Sequence, residues 1–424
     1  MARWFRTAIV GCTLLVLLFT PHTLDAYSVL AHEANVDALW MSGIQPLLKA
    51  RFPNATPDEL EGARAYAYGG CVIQDIGYYP FGSHLFSNLA HYVRTGDFVE
   101  ALIQDSQDIN EYAFALGALA HYAADNAGHP LAVNVSVPIM YPKLRAKFGN
   151  EVTYAESPKD HVMVEFSFDV VQMASGGYRS QTFHDLIGFQ VAKPLLERAF
   201  QGTYGLEVND LFLSEDLAIG TYRHAVSKTL PGMTTVAWRK KRDEIEKITP
   251  GTRKSDFVFH WRRGQYRKEF GKNYKEPGGL ARLIEILYDI LPKIGPLSTF
   301  KFKTPTPQTE QLFLQSFVSS RERYAESLKA VGAKQLNLPN MDFDTGKPTR
   351  LGEYSLADET YADLLDKLSD KKFVRVSPEL RQNILTFFGN PDSLPNKTDQ
   401  QRKRSDKTQQ ELALLMAACT GNCS

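Results

Sequence analysis

Three residues that can bind a metal are spaced at intervals of four in one apolar segment. His121, Asp125 and His129 lie between Asn110 and Pro130, where apolar residues recur at helical spacing. Each step of four residues turns a helix by roughly 40°, so the three side chains project from one face. Leaving them buried without partners would be costly, whereas together they can bind a divalent metal. The spacing therefore favours a metal site, and a set of hydrogen-bonded core histidines is the alternative interpretation.

The segments around this helix are also predicted to be largely helical. Residues 56–59 form a capping box that begins a helix. A second capping box, residues 157–160, begins a helix that carries His161 and Glu165 on one face. Residues 131–158 are expected to be irregular and to cover or shape a cleft. No alternating strand pattern of useful length occurs in the first half of the chain.

The N-terminus has the pattern of a secretory signal peptide. Arg3 and Arg6 supply the positive charge, residues 8–20 are apolar, and residues 24–26 have the small-residue pattern of a cleavage site. Cleavage after residue 26 would leave Tyr27 first, with a free amine. The sequence therefore predicts export to the periplasm or the extracellular medium.

Few cysteines remain after removal of this signal, and none has the paired spacing of a structural zinc site. They are Cys71, Cys419 and Cys423. The last two could close a small disulfide loop with Cys71 buried and free, but three cysteines allow other pairings.

The residues able to bind metal are concentrated in the first half of the chain. Nitrogen and carboxylate ligands without thiolates suit catalytic zinc, which keeps an open position for water, better than structural zinc. Their number exceeds the needs of one ion, so two or three zinc ions are expected. The candidates are the amine of Tyr27 and the side chains of His32, Asp75, His84, His91, His121, Asp125, His129, His161 and Glu165.

Four segments resemble motifs of the zinc-dependent phospholipase C family, and the resemblance extends from Tyr27 to about Gln172. The segments are YSVLAH (27–32), DIGYYPFGSH (75–84), FALGALAHYAAD (114–125) and HVMVE (161–165). The family includes secreted bacterial phospholipases C and the N-terminal domain of glycosylphosphatidylinositol-specific phospholipase D. The bacterial enzymes usually begin with Trp where this chain has Tyr27, and the spacing from Asp125 to His129 looks more like that of the second enzyme.

This resemblance implies a three-zinc centre in an all-α, multi-helix domain. The implied ligand sets are Asp75, His84, His121 and Asp125 for one ion; His129, His161 and Glu165 for a second; and His32, the backbone amine and carbonyl of Tyr27 and the other oxygen of Asp125 for a third. His91 matches no ligand of the family, and a core position or a position behind a ligand is expected for it.

The same resemblance implies hydrolysis of a phosphodiester. Zinc lowers the pKa of bound water toward about 7, so water can attack in line without a covalent intermediate. Asp75 is the implied catalytic residue, which would steer or deprotonate this water. The alternative is a bridging hydroxide, because a carboxylate that binds a metal tightly cannot act as a free base. The expected substrate is a phospholipid or a lipid of the glycosylphosphatidylinositol type.

Two other functions remain open. A single-strand nuclease is one, because the fungal zinc nucleases have a similar N-terminal spacing and a three-zinc helical scaffold. Against it, Lys plus Arg equals Asp plus Glu at 48 each, so no overall charge attracts nucleic acid, and no nucleic-acid partner is expected. The other is a non-catalytic module in which metal ions stabilise the fold and the second half binds a surface or a partner.

The second half of the chain carries none of these motifs. Residues 237–275 are basic and could contact phospholipid head groups at a membrane surface, although charge runs that also contain acidic residues are usually a solvated face. A Pro- and Thr-rich linker and further helices follow. The predicted organisation is a signal peptide at 1–26, a catalytic domain at 27–235 and a helical C-terminal region of unknown role at 236–424.

Overall fold

A computed structural model describes residues 29–175, 189–226, 303–389 and 398–418. The helices of the first two ranges are α1 Val29–Leu39, α2 Gln45–Arg51, α3 Pro57–Gly70, α4 His84–Tyr92, α5 Thr95–Asp105, α6 Ile109–Gly128, α7 Asn134–Met140, α8 Pro142–Phe148, α9 Pro158–Ser175, α10 Lys193–Tyr204 and α11 Glu215–His224. Short 3₁₀ or π-helical turns occur at Trp40–Ile44, Ile73–Tyr78, His129–Val133 and Val208–Asp210.

The C-terminal ranges add four helices and one small sheet. The helices are α12 Pro307–Gly332, α13 Ser355–Asp370, α14 Pro378–Phe387 and α15 Asp399–Ala418. Strands β1 (Met341–Asp342) and β2 (Lys347–Pro348) are antiparallel, with Met341 opposite Pro348 and Asp342 opposite Lys347. The all-α fold class is confirmed, since these two short strands are the exception among the described residues.

Helix α6 is the centre of the fold. It begins where the Asp108 side chain accepts hydrogen bonds from the backbone amides of Asn110 and Glu111, which satisfies amides that lack a partner inside the helix. Its residues are buried from Glu111 to Gly128, and α3 and α12 pack against it. The prediction of one long buried helix is confirmed, and the chain continues from it directly into the turn at His129–Val133.

The capping box predicted for α3 is present. The Thr56 side chain accepts a hydrogen bond from the backbone amide of Glu59, and the Glu59 carboxylate accepts one from the backbone amide of Thr56. Pro57 occupies the first helical position, where a missing N–H costs nothing. The predicted helix of His161 and Glu165 is α9, which begins at Pro158.

The expectation of an irregular stretch at residues 131–158 was wrong for much of its length, because α7 and α8 occupy it. Pro142 begins α8 instead of interrupting it. Pro138 lies within α7 and cannot donate to the carbonyl of Asn134. That carbonyl instead accepts a hydrogen bond of 2.9 Å from the amide of Val152, so the proline is tolerated.

The C-terminal helices share the core of the helices before them. Helix α12 packs on α6, and the buried hydroxyl of Tyr324 donates a 2.9 Å hydrogen bond to the carbonyl of Leu116. Helix α13 packs on α4. The boundary predicted between residues 235 and 236 lies outside the described residues, as do the basic stretch at 237–275, Cys419 and Cys423. Across the ranges that are described, no helix combines the length and the apolar character needed to cross a membrane.

Candidate metal centre

Helix α6 delivers three polar side chains to one buried stripe. His121 and Asp125 are fully buried, and His129, immediately after the helix, is 7% exposed. His121 Nε2 lies 3.0 Å from Asp125 Oδ2, and His129 Nε2 lies 3.6 Å from the same oxygen. The helical spacing thus places these residues side by side, as the sequence predicts.

A first group forms where the 3₁₀ turn at Ile73–Tyr78 and helix α4 meet α6. It consists of Asp75, His91 and His121. His91 Nε2 is 3.2 Å from Asp75 Oδ1 and 3.3 Å from His121 Nε2. Three candidate ligand atoms from three separate elements therefore converge on one point.

Backbone carbonyls fix the orientation of two of these imidazoles. The Nδ1–H of His121 donates to the carbonyl of Cys71 at 2.9 Å, and the Nδ1–H of His91 donates to the carbonyl of Ser87 at 2.7 Å. Such a bond directs the other ring nitrogen toward a metal in known metal sites. Cys71 itself is buried and free, as expected.

Helix α1 adds His32 on the other side of Asp125. His32 Nε2 lies 3.4 Å from Asp125 Oδ1, and the ring of His32 stacks on that of His121 with centroids 4.2 Å apart. His32, His121 and Asp125 form a second candidate group. Asp125 thus faces both groups with different oxygens. Tyr27, the other expected ligand here, lies outside the described residues.

A third group joins the end of α6 to α9. His129 Nδ1 is 3.0 Å from His161 Nε2, and Glu165 Oε1 is 3.1 Å from the same His161 atom. The distance from His129 Nδ1 to Glu165 Oε1 is 3.6 Å. All three side chains are at least 90% buried, so the structure brings together the set expected for one ion.

His84 is the candidate that the structure does not bring to these groups. It begins α4 with an exposed side chain, and its ring centroid lies 5.7 Å from that of Tyr78. His91, two turns further along α4, lies beside Asp75 and His121 instead. Among the described residues, His91 and not His84 therefore lies with Asp75 and His121, although the expected set named His84.

The chemistry of these groups fits zinc. Oxygens of four buried carboxylates accept no hydrogen bond, which is rare in proteins: both oxygens of Asp75, both of Asp125, Oε2 of Glu165 and Oδ1 of Asp344. Ligands held about 2.0–2.1 Å from zinc in a tetrahedral arrangement lie about 3.3 Å apart. The contacts above, at 3.0 to 3.6 Å, match that spacing, and nitrogen with carboxylate oxygen is a common zinc donor set.

The comparison with protein families decides the classification. Residues 38–212 match the family model described as zinc dependent phospholipase C. This part of the chain is therefore similar to the zinc-dependent phospholipase C family. Among curated proteins and solved structures, no match to the chain was found. The matched range contains the members of the three groups except His32.

Acids and bases are buried side by side in this candidate metal centre. Burial raises the pKa of Asp75 and Glu165 and lowers the pKa of His161 to about 3. Burial also acts to lower the pKa of His91 and His129, but the carboxylates beside these two histidines have the larger effect. They raise the pKa of His91 to about 10 and that of His129 to about 9. Because zinc binds deprotonated ligands, its binding would displace protons from these imidazoles.

The space beside the groups is small. A cavity of about 20 Å³ lies among them, which is room for about one water molecule. Three of its lining side chains are tyrosines that come from different parts of the chain. The lining residues are Tyr78, His91, Tyr92, His129, Tyr154, Glu165 and Asp344.

Asp344 is a member of the site that the sequence analysis missed. It is 2% exposed and lies just after β1, far outside the matched range. Its Oδ1 is 3.7 Å from His129 Nδ1 and 4.0 Å from His161 Nε2. No repeat or helical spacing links it to the other candidates, so no local signal could have identified it.

Proposed function

We propose that the chain is a secreted zinc-dependent phosphodiesterase that hydrolyses phospholipids. One observation carries the proposal: three buried groups of imidazoles and carboxylates converge in a domain similar to the zinc-dependent phospholipase C family. Zinc ions at these groups would activate water and stabilise the charge that builds on a phosphoryl group during attack. The groups lie within one cluster because Asp125 contacts His32, His91 and His121.

We propose that Asp75 orients the attacking water and accepts its proton. Both of its carboxylate oxygens are buried and accept no hydrogen bond, and one faces His91 Nε2 at 3.2 Å. The neighbouring imidazoles are oriented by carbonyls on their far sides. Asp75 therefore lies where it can orient a small molecule in the cluster without losing a structural hydrogen bond.

The size of the cavity supports a second candidate function. Room for about one water does not admit a lipid phosphate, so a substrate reaches the cluster only when lining residues such as Tyr78, Tyr154 or Asp344 move. A module that binds zinc for stability and cleaves no lipid needs no such movement. This candidate predicts full zinc content without hydrolysis.

Export and membrane contact belong to the same proposal. The N-terminal pattern of positive, apolar and small residues supports a signal peptide that is removed after Ala26. Removal would expose the amine of Tyr27, five residues before His32 in the sequence. The basic stretch at 237–275 supports peripheral contact with a lipid surface.

A panel of substrates tests the proposal. The secreted, zinc-loaded chain is incubated separately with vesicles of phosphatidylcholine, vesicles of phosphatidylinositol, a glycosylphosphatidylinositol-anchored protein and single-stranded DNA. Diacylglycerol with a phosphorylated head group indicates C-type cleavage, and phosphatidic acid with a free head group indicates D-type cleavage. The matched controls are His121→Ala, which removes a buried member of the cluster, and His84→Ala, which removes an exposed histidine.

We expect release of a C-type product by the wild type and by His84→Ala, and none by His121→Ala. Cleavage of DNA and of no lipid substrate would indicate that the protein is a nuclease and not a phospholipase. Full zinc content with no cleavage of any substrate would favour the non-catalytic module.

A further inference from the structure

The segment that carries Asp344 is held tightly against the metal centre. The hydroxyl of Thr95 donates to the carbonyl of Met341 at 2.8 Å and accepts from its amide at 2.9 Å. The amide of Phe343 donates to the carbonyl of His91 at 3.1 Å. This segment comes from the C-terminal region, so residues beyond the family match form one wall of the centre.

The two oxygens of Asp344 have different surroundings. Oδ2 accepts hydrogen bonds from the amide of Tyr154, at 2.9 Å, and from the hydroxyl of Tyr354. Oδ1 is buried, accepts no hydrogen bond and faces His129 Nδ1 and His161 Nε2. One oxygen is thus fixed by the protein while the other points at the third candidate group.

The distances suit a fourth ligand of a tetrahedral ion. The atoms of His129, His161 and Glu165 are 3.0 to 3.6 Å apart, close to the 3.3 Å or so expected between zinc ligands. Asp344 Oδ1, at 3.7 and 4.0 Å from the two imidazole nitrogens, is about 0.4 and about 0.7 Å beyond that spacing. A small rotation of a carboxylate about its fixed oxygen covers this difference.

We propose that Asp344 is the fourth protein ligand of the ion bound by His129, His161 and Glu165. The inference rests on the zinc centre of the proposed function but not on lipid hydrolysis. Four protein ligands complete a tetrahedral shell, as in zinc ions that stabilise a structure. The position that stays open for water then belongs to the group of Asp75, His91 and His121.

The test compares zinc binding by the full-length secreted wild type and three variants. Asp344→Asn keeps an oxygen for Tyr154 and Tyr354 but has an amide in place of the second oxygen. Asp344→Glu restores a carboxylate. Tyr354→Phe removes one hydrogen bond to Oδ2 and leaves Oδ1 intact. Each protein is loaded with zinc and dialysed against graded concentrations of a chelator, and the zinc per chain is measured by elemental analysis.

We expect Asp344→Asn to bind one ion at least about tenfold more weakly than the wild type, with helical content unchanged by circular dichroism. Asp344→Glu should regain most of this affinity. Tyr354→Phe, which removes a hydrogen bond behind the ligand, should also weaken binding, by about tenfold, but should keep the wild-type cobalt spectrum. With cobalt in place of zinc, the visible absorption of Asp344→Asn should also change, because that spectrum reports the ligands of the ion.

Three results would overturn the inference. One is equal zinc affinity in Asp344→Asn and the wild type. Another is the same loss in Asp344→Glu as in Asp344→Asn, or a cobalt spectrum of Asp344→Asn that equals that of the wild type, which would show that the carboxylate only holds the segment in place. The third comes from a further variant, His161→Ala: a zinc content equal to that of the wild type would show that no ion binds at this group. Normal zinc binding without hydrolysis of any substrate in the panel would contradict only the proposed phospholipase activity.

Discussion

His121 Nε2 lies 3.0 Å from Asp125 Oδ2, one helical turn further along α6. The same Asp125 oxygen is 3.4 Å from His91, and the other Asp125 oxygen is 3.4 Å from His32. The pair therefore connects helices α1, α4 and α6 at one buried point. Any ion bound here links elements that are far apart in the sequence.

The first prediction concerns the two histidines of α4. His91→Ala should lower zinc affinity and phospholipid hydrolysis at least about a hundredfold, since even residues behind metal ligands contribute 10- to 100-fold. His84→Ala should stay within about twofold, because its side chain is exposed and outside the three groups. Zinc titration and a lipid assay measure both effects. A larger loss of zinc affinity in His84→Ala than in His91→Ala would instead indicate that His84 is the ligand.

The sequence could not choose between these two histidines. Residues seven apart in a helix lie on nearly the same face, about two turns from each other. Helical spacing therefore predicts the face that they share, and the position of α4 along its axis decides which one meets Asp75. By contrast, the pairs His121–Asp125 and His161–Glu165 were predictable, because each lies within one turn of a single helix.

Sequence patterns could predict neither the place of Asp344 in the site nor the helices within residues 131–158. The reasons differ. Asp344 reaches His129 across 215 residues of chain, through packing of the C-terminal segment. The helix around Pro138 depends on a hydrogen bond from Val152 that compensates the proline. Both features are tertiary, whereas the all-α class and the buried helix α6 follow from local periodicity.

The second prediction concerns the contact between α3 and α6. A methyl group at Gly117 would collide with the carbonyl oxygen of Ala67, so the two helices would have to separate. Gly117→Ala should lower the free energy of unfolding by about 1–3 kcal/mol. It should also weaken zinc binding, because the carbonyl of Cys71 that orients His121 lies at the end of α3.

Gly62→Ala is the matched control on α3. Its added methyl group would meet nothing within 4 Å, and alanine favours an exposed helix over glycine by about 0.5–1 kcal/mol. Urea unfolding of both variants measures the difference. Equal stability of the two would mean that α3 and α6 are not packed as closely as described.

The third prediction is a pH dependence of stability at Glu215. Burial raises its pKa to about 7, although Lys193, 3.1 Å away, lowers it, while Glu197 and Asp216 add to the rise. The folded chain thus retains a proton that the unfolded chain has lost, so stability falls as the pH rises from about 4.3 to 7. Glu215→Gln, which stays neutral, should not show this fall and should be more stable than the wild type at pH 8 by an amount on the order of 1 kcal/mol.

Asp216→Asn provides the control for this titration. Its carboxylate lies 2.9 Å from the same Lys193 nitrogen but is 77% exposed. Urea unfolding at pH 4.5, 6 and 8 should show a difference from the wild type that grows with pH for Glu215→Gln. For Asp216→Asn the difference should change far less with pH, because Asp216 contributes only a minor part of the rise in the pKa of Glu215. A constant difference for Glu215→Gln would contradict the raised pKa.

The fourth prediction concerns the N-terminus. Mass spectrometry of the secreted protein should find Tyr27 as the first residue, because cleavage after Ala26 fits the small-residue pattern. A chain engineered to keep one extra residue before Tyr27 should bind less zinc, since Tyr27 would then have no free amine to offer as a ligand. Equal zinc content in the extended chain would exclude the amine as a ligand.

The central claim is a buried multi-zinc centre organised by α6, and the zinc content of the purified full-length chain tests it most directly. We predict two or three zinc ions per wild-type chain by elemental analysis, and fewer ions in His121→Ala with helical content retained. Less than one zinc per wild-type chain after loading, or the same content in wild type and His121→Ala, would contradict the account.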